Sequence, residues 1–243
     1  MYDKIFVSVI IPAYNEEKRL PVFLQSFIPY FQNSKKTYEL IIVDDGSTDG
    51  TYDTALSFRD KFEHFDVIKI PKNSGKGHAV KTGLFKAAGN VCVFLDADGS
   101  VAPDEIDKNI HFLTDGGFDI FAGSRVMRDD KTCVKARWHR VIAGMIFNFF
   151  VQSFLFKNIK DTQCGFKMFR KEVIKPLFSE CHLKGFGFDI EVLYLAFKMG
   201  YKVKEGPVSW HHVDGSKVSL VKDPVIMFFN ILQIRKRHTN NNR

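Results

Sequence analysis

Apolar residues fall along this chain in short blocks, and the spacing inside each block names the element it builds. Residues 7–11 form a β-rich apolar run that Pro12 halts, since proline has no N–H to give a sheet. From 16 to 31 the apolar positions are Leu20, Phe23, Leu24, Phe27 and Ile28, the three- and four-residue steps of a helix. Residues 40–43 predict a second strand, 46–50 a glycine-bounded turn, and 51–61 a helix with Thr48 or Asp49 as its cap. Residues 67–70 predict a third strand. Gly75 and Gly77 flank the start of a helix running through Ala88, and 91–95 is a fourth strand. This βαβαβαβ order predicts an α/β fold, a mainly parallel sheet with helices on both faces.

Beyond Asp98 the alternation loosens. The pattern predicts a helix over 104–113, a strand over 119–122, a mobile polar loop over 128–135, a strand over 166–169 and a helix over 189–199. Two apolar stretches stand apart. Residues 141–156 are broken only by Asn148, Gln152 and Ser153, yet fall short of the roughly 20 residues a spanning helix needs. They read as a buried core helix or as a helix lying in a bilayer surface. Residues 224–234 run into Arg235, Lys236, Arg237 and His238. They read as a docking helix with a solvated basic end, or as a segment that binds an anionic leaflet. No internal repeat divides the chain. Residues 1–217 are expected to form one catalytic domain and 218–243 an amphipathic, basic, membrane-associating segment, with a frayed tail from 239.

Composition narrows the classes. The 243 residues suit one large domain, with 45% hydrophobic and 26% charged residues typical of a globular protein. A balance of 35 Lys+Arg against 28 Asp+Glu gives +7, which suits phosphates, anionic membranes or nucleic acid. The cations do not interleave with aromatic stacking positions, and the phenylalanines sit in apolar runs, so nucleic acid is not an expected partner. Cys92, Cys133, Cys164 and Cys181 lie far apart without zinc-ligand spacing. Reduced thiols and a cytosolic setting follow. The N-terminus lacks the features of a cleaved signal peptide.

The candidate chemistry lies where apolar strands end in acids. Asp96 and Asp98 close the strand 91–95, and Asp44 and Asp45 close 40–43. Ligands of open α/β sheets bind outside such carboxyl ends. Asp96 and Asp98 together suit a hard cation, Mg²⁺ or Mn²⁺, that clamps a diphosphate and neutralises it as it leaves. The plainer reading is a helix cap. Asp45 can accept a hydrogen bond from the ring N–H of uracil or guanine. Tyr14, in the turn after the first strand, can stack on a base, with Glu16 beside it. Lys76 between two glycines at a helix start offers a cation and backbone N–H groups to phosphate oxygens. Arg125 can fork onto a phosphate, or form a structural salt bridge. The segment Asp161-Thr-Gln-Cys-Gly-Phe-Lys167 reads only as a shaped loop before a strand.

Taken together, these segments resemble the inverting nucleotide-sugar glycosyltransferases of GT-A fold, glycosyltransferase family 2, from Val7 to about Lys217. The generic markers are Val9-Ile-Ile-Pro-Ala-Tyr-Asn-Glu16, Val43-Asp-Asp-Gly-Ser-Thr-Asp-Gly50 and Asp96-Ala-Asp98. Asn73-Ser-Gly-Lys-Gly77, Gly123-Ser-Arg125, Asp161 to Lys167, Phe188-Asp-Ile-Glu191, Trp210 and Gly215-Ser-Lys217 are similar to those of dolichyl-phosphate β-glucosyltransferases. The resemblance implies transfer of a hexose, glucose from UDP-glucose, onto a polyprenyl (dolichyl) monophosphate. It implies a peripheral location on the cytosolic face of a membrane, the endoplasmic reticulum if the source is eukaryotic. Carried over by position, Pro12, Tyr14, Glu16 and Asp45 hold the nucleoside, and Asp96 supports the ribose or diphosphate. Asp98 binds the metal with Asp96 beside it, and Arg125 and Arg140 hold the acceptor phosphate. Gln163 and Asp189 shape the sugar pocket, and Lys76 and Lys217 contact phosphate. Ser100 stands where mannosyltransferase relatives can place a metal-binding glutamine, which weighs against a second protein ligand there.

Eukaryotic members begin with a spanning segment that this sequence lacks, so the resemblance implies a missing anchor or anchoring through 141–156 and 224–238. Three enzyme alternatives remain beside this reading. They are a GDP-mannose-dependent polyprenyl-phosphate mannosyltransferase, a family-2 transferase with a polysaccharide acceptor, and a nucleotidyltransferase. The last should carry a glycine-rich loop after the first strand, and residues 12–17 are not one. Oligomeric state is left open.

Overall fold

The computed structural model describes residues 5–127, 134–135, 159–213 and 222–239. Seven strands form one sheet: β1 (Val7–Ala13), β2 (Tyr38–Asp44), β3 (Phe65–Lys69), β4 (Val91–Leu95), β5 (Ile120–Ser124), β7 (Phe166–Arg170) and β8 (Val203–Pro207). Their order is β3-β2-β1-β4-β7-β5-β8. Every neighbouring pair is parallel except the two made by β7, which runs against both β4 and β5. A second, two-stranded sheet pairs β6 (Val134–Lys135) with β9 (Trp210–His211).

Strand alternation splits the core in two. Val9, Ile11, Leu40, Ile42, Val93 and Leu95 face one side, where α1 (Leu20–Gln32) buries Leu20, Phe23, Leu24 and Phe27. Ile10, Ile41, Val43, Cys92 and Phe94 face the other. There they meet α3 (Lys76–Lys86), α6 (Lys171–Glu180) and α7 (Phe188–Lys198). Helices thus cover both faces, as the βα alternation predicts, and burial of these side chains supplies the main driving force.

Several boundaries differ from the sequence reading. β1 does not stop at Pro12; it pairs through Pro12 and Ala13 with β2. Its other neighbour, β4, is paired only as far as Ile10, so the missing proline N–H is not required there. The first helix begins at Leu20 rather than 16, after a turn in which Arg19 and Leu20 N–H groups donate to the Glu16 carbonyl. The helix expected over 51–61 is α2 (Thr51–Leu56) followed by a 3₁₀ turn, Arg59–Lys61. The one over 104–113 divides into α4 (Glu105–Asn109) and α5 (His111–Thr114). The N-cap of α2 is Gly50 rather than Thr48 or Asp49, although Asp49, one residue earlier, accepts from the Thr51 N–H at 3.0 Å.

The C-terminal helix α8 (Lys222–Thr239) has two faces. Ile231 and Ile234 are buried with Ile190 of α7, against Leu183 and Tyr194. Ile226, Phe229 and Leu232 are 55%, 63% and 41% exposed, and Arg235, Lys236 and Arg237 are exposed beyond them. Among the described residues no helix is long and apolar enough to cross a membrane. The stretch 141–156 and most of the loop 128–135 lie outside the described residues, although 134–135 form a strand.

Candidate active site

The loops that leave β1 and β2 are tied to one another. Asn15 adopts φ 53°, a left-handed conformation that asparagine tolerates better than most residues. Its N–H donates to Ser47 Oγ at 2.9 Å, and its Oδ1 accepts from the Thr48 N–H at 2.8 Å. The next residue, Glu16, is nearly buried, and its N–H donates to Thr51 Oγ1 at 2.6 Å. Its two carboxylate oxygens take the guanidinium fork of Arg19, at 2.7 and 2.5 Å. Burial lowers the proton affinity of Arg19. The bond to Glu16 and the charges of Glu16, Asp98 and Asp96 more than offset it.

Asp45 is also committed to backbone. Its carboxylate accepts from the N–H groups of Ser74 at 2.9 Å and Gly75 at 2.8 Å. Gly75 has φ 100°, and a Cβ there would lie 2.4 Å from the Lys184 carbonyl oxygen. That same oxygen accepts from the N–H groups of Gly77 at 2.6 Å and His78 at 3.2 Å. Here the sequence expectation is corrected. The first amides of α3 are capped by the Lys184 carbonyl rather than held open for phosphate. The two glycines admit that segment: a Cβ on Gly77 would meet Phe188 Cβ at 2.6 Å.

Lys76 keeps its expected place. A cation in the first turn of a helix opposes the helix dipole, and carboxylates compensate. Its Nζ lies 2.7 Å from Asp96 Oδ1 and 4.0 Å from Asp189 Oδ2. Burial lowers its proton affinity, but the charges of Asp96 and Asp189 prevail, so it stays above the usual lysine range. Asp189, in the first turn of α7, is 1% exposed and pairs with the buried Lys167 Nζ at 2.6 Å. Lys167 also donates to the carbonyls of Thr162 and Cys164, so Asp96, Lys76, Asp189 and Lys167 form one chain of alternating charge that runs from the partly exposed Asp96 to the fully buried Lys167. Asp96 is set by Gly165: its N–H donates to the Gly165 carbonyl, and a Cβ at 165 would lie 2.0 Å from Asp96 Oδ2.

Asp98 accepts from the Ser100 N–H at 2.9 Å. Burial and the adjacent Asp96 charge hold its carboxyl above the usual range, against opposing hydrogen bonds from Ser100 and the charge of Arg19. Two neighbouring carboxylates, with the charge of Asp96 raising the proton affinity of Asp98, form a donor set suited to a cation. Among the described residues no group of three or more His, Cys, Asp or Glu forms a metal-ligand cluster. An ion such as Mg²⁺ is usually bound through one or two carboxylates together with substrate phosphates.

Pro12, Tyr14, Glu16, Asp45, Lys76, Asp96 and Asp98 all line one cavity of about 460 Å³ at the carboxyl ends of β1, β2 and β4. The sequence reading missed Arg19, Gly185 and Phe186, which share that lining with Asn73, a residue it quoted only as part of a motif. The spacing of Glu16 and Arg19, three apart at a helix start, was a readable signal for their pair. The walls at Gly185 and Phe186 had no such signal. Arg125 and Gln163 are not in the lining. Arg125 forks onto Asp161 through Nε at 2.8 Å and Nη2 at 2.9 Å, and its backbone N–H adds a third bond at 2.9 Å. Its guanidinium also lies 5.8 Å from the Trp210 ring centroid. Gln163 Nε2 donates to the Phe186 carbonyl at 3.2 Å. Arg140 and Lys217 lie outside the described residues.

The glycosyl transferase family 2 model matches residues 8–178. The chain belongs to that family. A dolichyl-phosphate β-glucosyltransferase of Dictyostelium discoideum is 37% identical over 247 residues, spanning 97% of this chain and 76% of that protein. The Homo sapiens protein of the same name is 34% identical, over 96% of this chain and 75% of that one. Solved structures are similar in fold. Glucosyl-3-phosphoglycerate synthase of Mycobacterium tuberculosis, in complex with Mn²⁺, UDP and glucosyl-3-phosphoglycerate, superposes with a TM-score of 0.70 at 20% identity, covering 96% of this chain and 80% of that one. Mannosyl-3-phosphoglycerate synthase of Rubrobacter xylanophilus gives 0.71 at 16%, covering 98% and 74%. The fold of this family 2 glycosyltransferase is GT-A.

Proposed function

We propose that this glycosyltransferase moves glucose from UDP-glucose, with inversion, onto a dolichyl or related polyprenyl monophosphate at the cytosolic face of a membrane. The observation that carries the reading is the cavity in which Lys76, Asp96 and Asp98 converge beside Tyr14 and Asp45. Near-full-length identity with dolichyl-phosphate β-glucosyltransferases supports the choice of sugar and acceptor. In this reading the nucleoside lies against Pro12 and Tyr14. The diphosphate faces Lys76, whose ammonium Asp96 and Asp189 hold in place. Asp98 and Asp96 are the residues that would hold Mg²⁺ or Mn²⁺, which when bound neutralises charge on the leaving diphosphate.

An oxygen of the acceptor phosphate attacks the anomeric carbon from the face opposite the diphosphate. The phosphate is already ionised near neutral pH, so no strong general base is needed. The burial of Asp189 behind Lys76 fits a role acting through that lysine. Positioning and charge stabilisation then carry catalysis. Arg125, oriented by Asp161, would contact the acceptor phosphate, with Arg140, Gln163 and Lys217 completing the acceptor and sugar side. The exposed row Ile226, Phe229 and Leu232, followed by Arg235, Lys236 and Arg237, suits peripheral binding to an anionic membrane that presents the lipid acceptor.

The test is transfer from radiolabelled UDP-glucose and GDP-mannose to dolichyl phosphate in detergent, with Mn²⁺ or Mg²⁺ and with chelator. Chelator-sensitive glucolipid from UDP-glucose alone is the expected result. Donor hydrolysis without a lipid product would discard the polyprenyl acceptor, and product from GDP-mannose alone would discard the sugar.

A further inference from the structure

Glu191 of α7 is fully buried and takes no part in the chemistry proposed above. Its Oε2 accepts from the N–H groups of His182 at 2.9 Å and Leu183 at 2.6 Å, and from the Cys181 thiol at 3.2 Å. Its Oε1 lies 2.8 Å from Nε2 of His238, near the end of α8, where both side chains are almost wholly buried. A carboxylate only accepts, so the imidazole carries its proton on Nε2. One side chain thus ties the C-terminal helix to residues 181–183. The chain continues directly into the donor cavity. Lys184 gives the carbonyl that caps Gly77 and His78 at the start of α3, beside Lys76. Gly185 and Phe186 are cavity wall. Gly187 packs so closely on α8 that a Cβ there would lie 2.3 Å from Asn230 Nδ2.

We infer that Glu191 and His238 are positioning residues that make the seating of α8 a condition of donor binding. This rests on the donor reading above. Burying a carboxylate among three segments is costly unless every bond is made. With His238 gone, Glu191 keeps its backbone bonds but loses its hold on α8, and residues 182–186 lose the element packed behind them. The position of Lys76 and the cavity wall loosen together.

Hydrogen exchange, equilibrium binding of UDP with Mn²⁺, donor kinetics and melting temperature, all on the full chain, test this for wild type, His238→Ala, His238→Gln and Gln233→Ser. His238→Ala removes the group bonded to Oε1 and spares the Glu191 backbone bonds, and its melting temperature is read alongside to separate loss of the latch from loss of the fold. It should deprotect the amides of 77–78 and 182–186, weaken UDP about tenfold and raise the donor KM while kcat holds. His238→Gln, which can place an amide N–H near the same carboxylate oxygen, should restore most of the loss. Gln233→Ser, at an exposed position of α8 outside the apolar row, should change none of these readouts. Unchanged exchange at 77–78 and 182–186 in His238→Ala would overturn the inference whatever the UDP result. A fall in kcat and melting temperature with KM unmoved would also overturn it. Wild-type chain that shows the exchange coupling but binds no UDP would uphold the latch and sink the donor reading instead.

Discussion

Gly165 is the position at which a single added methyl should be felt most sharply in catalysis. A Cβ there would lie 2.0 Å from Asp96 Oδ2 and 2.3 Å from its Cγ. Ordinary contact begins near 3.4 Å, so the carboxylate must move by about 1.4 Å or more. Asp96 has a short side chain, and the move is a rotation at its root that carries both oxygens away. The 2.7 Å contact with Lys76 then opens, and Lys76 is left with Asp189 alone. A displacement of about 1 Å in a catalytic group costs on the order of 10²-fold. The expected loss in kcat/KM for Gly165→Ala is therefore about 100-fold, or ~2.7 kcal/mol of transition-state stabilisation. Overpacking should cost about 1–3 kcal/mol in stability. The assay is glucosyl transfer to dolichyl phosphate over a range of UDP-glucose, with urea unfolding of the same preparations. Gly117→Ala is a control for glycine loss, since its Cβ meets nothing within 4 Å. Its φ of 68° makes it a stability control rather than a silent one. A Gly165→Ala enzyme with wild-type kcat/KM would refute the argument that this glycine sets the carboxylate.

Three further predictions test other parts of the site. Asp98→Ala should abolish metal-stimulated transfer, and activity retained at saturating Mg²⁺ and Mn²⁺ would remove Asp98 from the metal assignment. Asp161→Asn should destabilise the fold by about 2–3 kcal/mol at pH 7, less than a fully buried pair because the Arg125 side chain is 35% exposed. Burial raises the Asp161 pKa, but the Arg125 charge and hydrogen bonds win and lower it. Its stabilisation is present above the unfolded value near 3.9 and lost as pH falls through the lower folded one. The gap to wild type in urea titrations should therefore narrow below about pH 4, and a constant gap from pH 7 to 3 would refute this. Gly77→Ala should destabilise the protein by about 1–3 kcal/mol through overpacking on Phe188 and Leu183, although alanine is the better helix former by about 1 kcal/mol. A raised melting temperature would mean that the close approach does not constrain this position.

The half of the fold that carries the candidate site was legible because β1, β2 and β4 hold short, mostly apolar runs closed by turn residues and carboxylates. That pattern survives without any knowledge of partners. Pro12 misled because its rule assumes neighbours on both sides, and β4 is paired only up to Ile10. The helix Lys171–Glu180 went unread although Val173, Ile174, Leu177 and Phe178 keep helical spacing; Pro176 in its interior obscures the signal. The strand Val203–Pro207 lies at the sheet edge and carries lysine, glutamate, glycine and proline, so its composition argues against it. At the site, the residue types were readable and their partners were not. The glycines flanking Lys76 were read as a cradle for phosphate, but they accommodate a carbonyl from Lys184, far away in sequence. Arg125 was read with a salt bridge as its plainer alternative, and the structure supplies the partner, Asp161.

The reversed strand β7 has a consequence for the order in which the protein is made. β4 is an interior strand of the sheet because β1 pairs with one of its edges and β7 with the other. Phe166, which pairs with Leu95, is synthesised about 71 residues after it. At roughly 5–20 residues per second, a nascent chain carries an open edge of Val-Cys-Val-Phe-Leu for on the order of 4–14 s. An unpaired apolar edge is a template for another chain. Ribosomes crowded on one message hold many copies of that edge close together. Slow passage through the codons for 96–165 should therefore raise the aggregated fraction, whereas slowing after Arg170 should not. The strand that carries Lys167 to its partner Asp189 is also the one that closes the sheet against its own siblings.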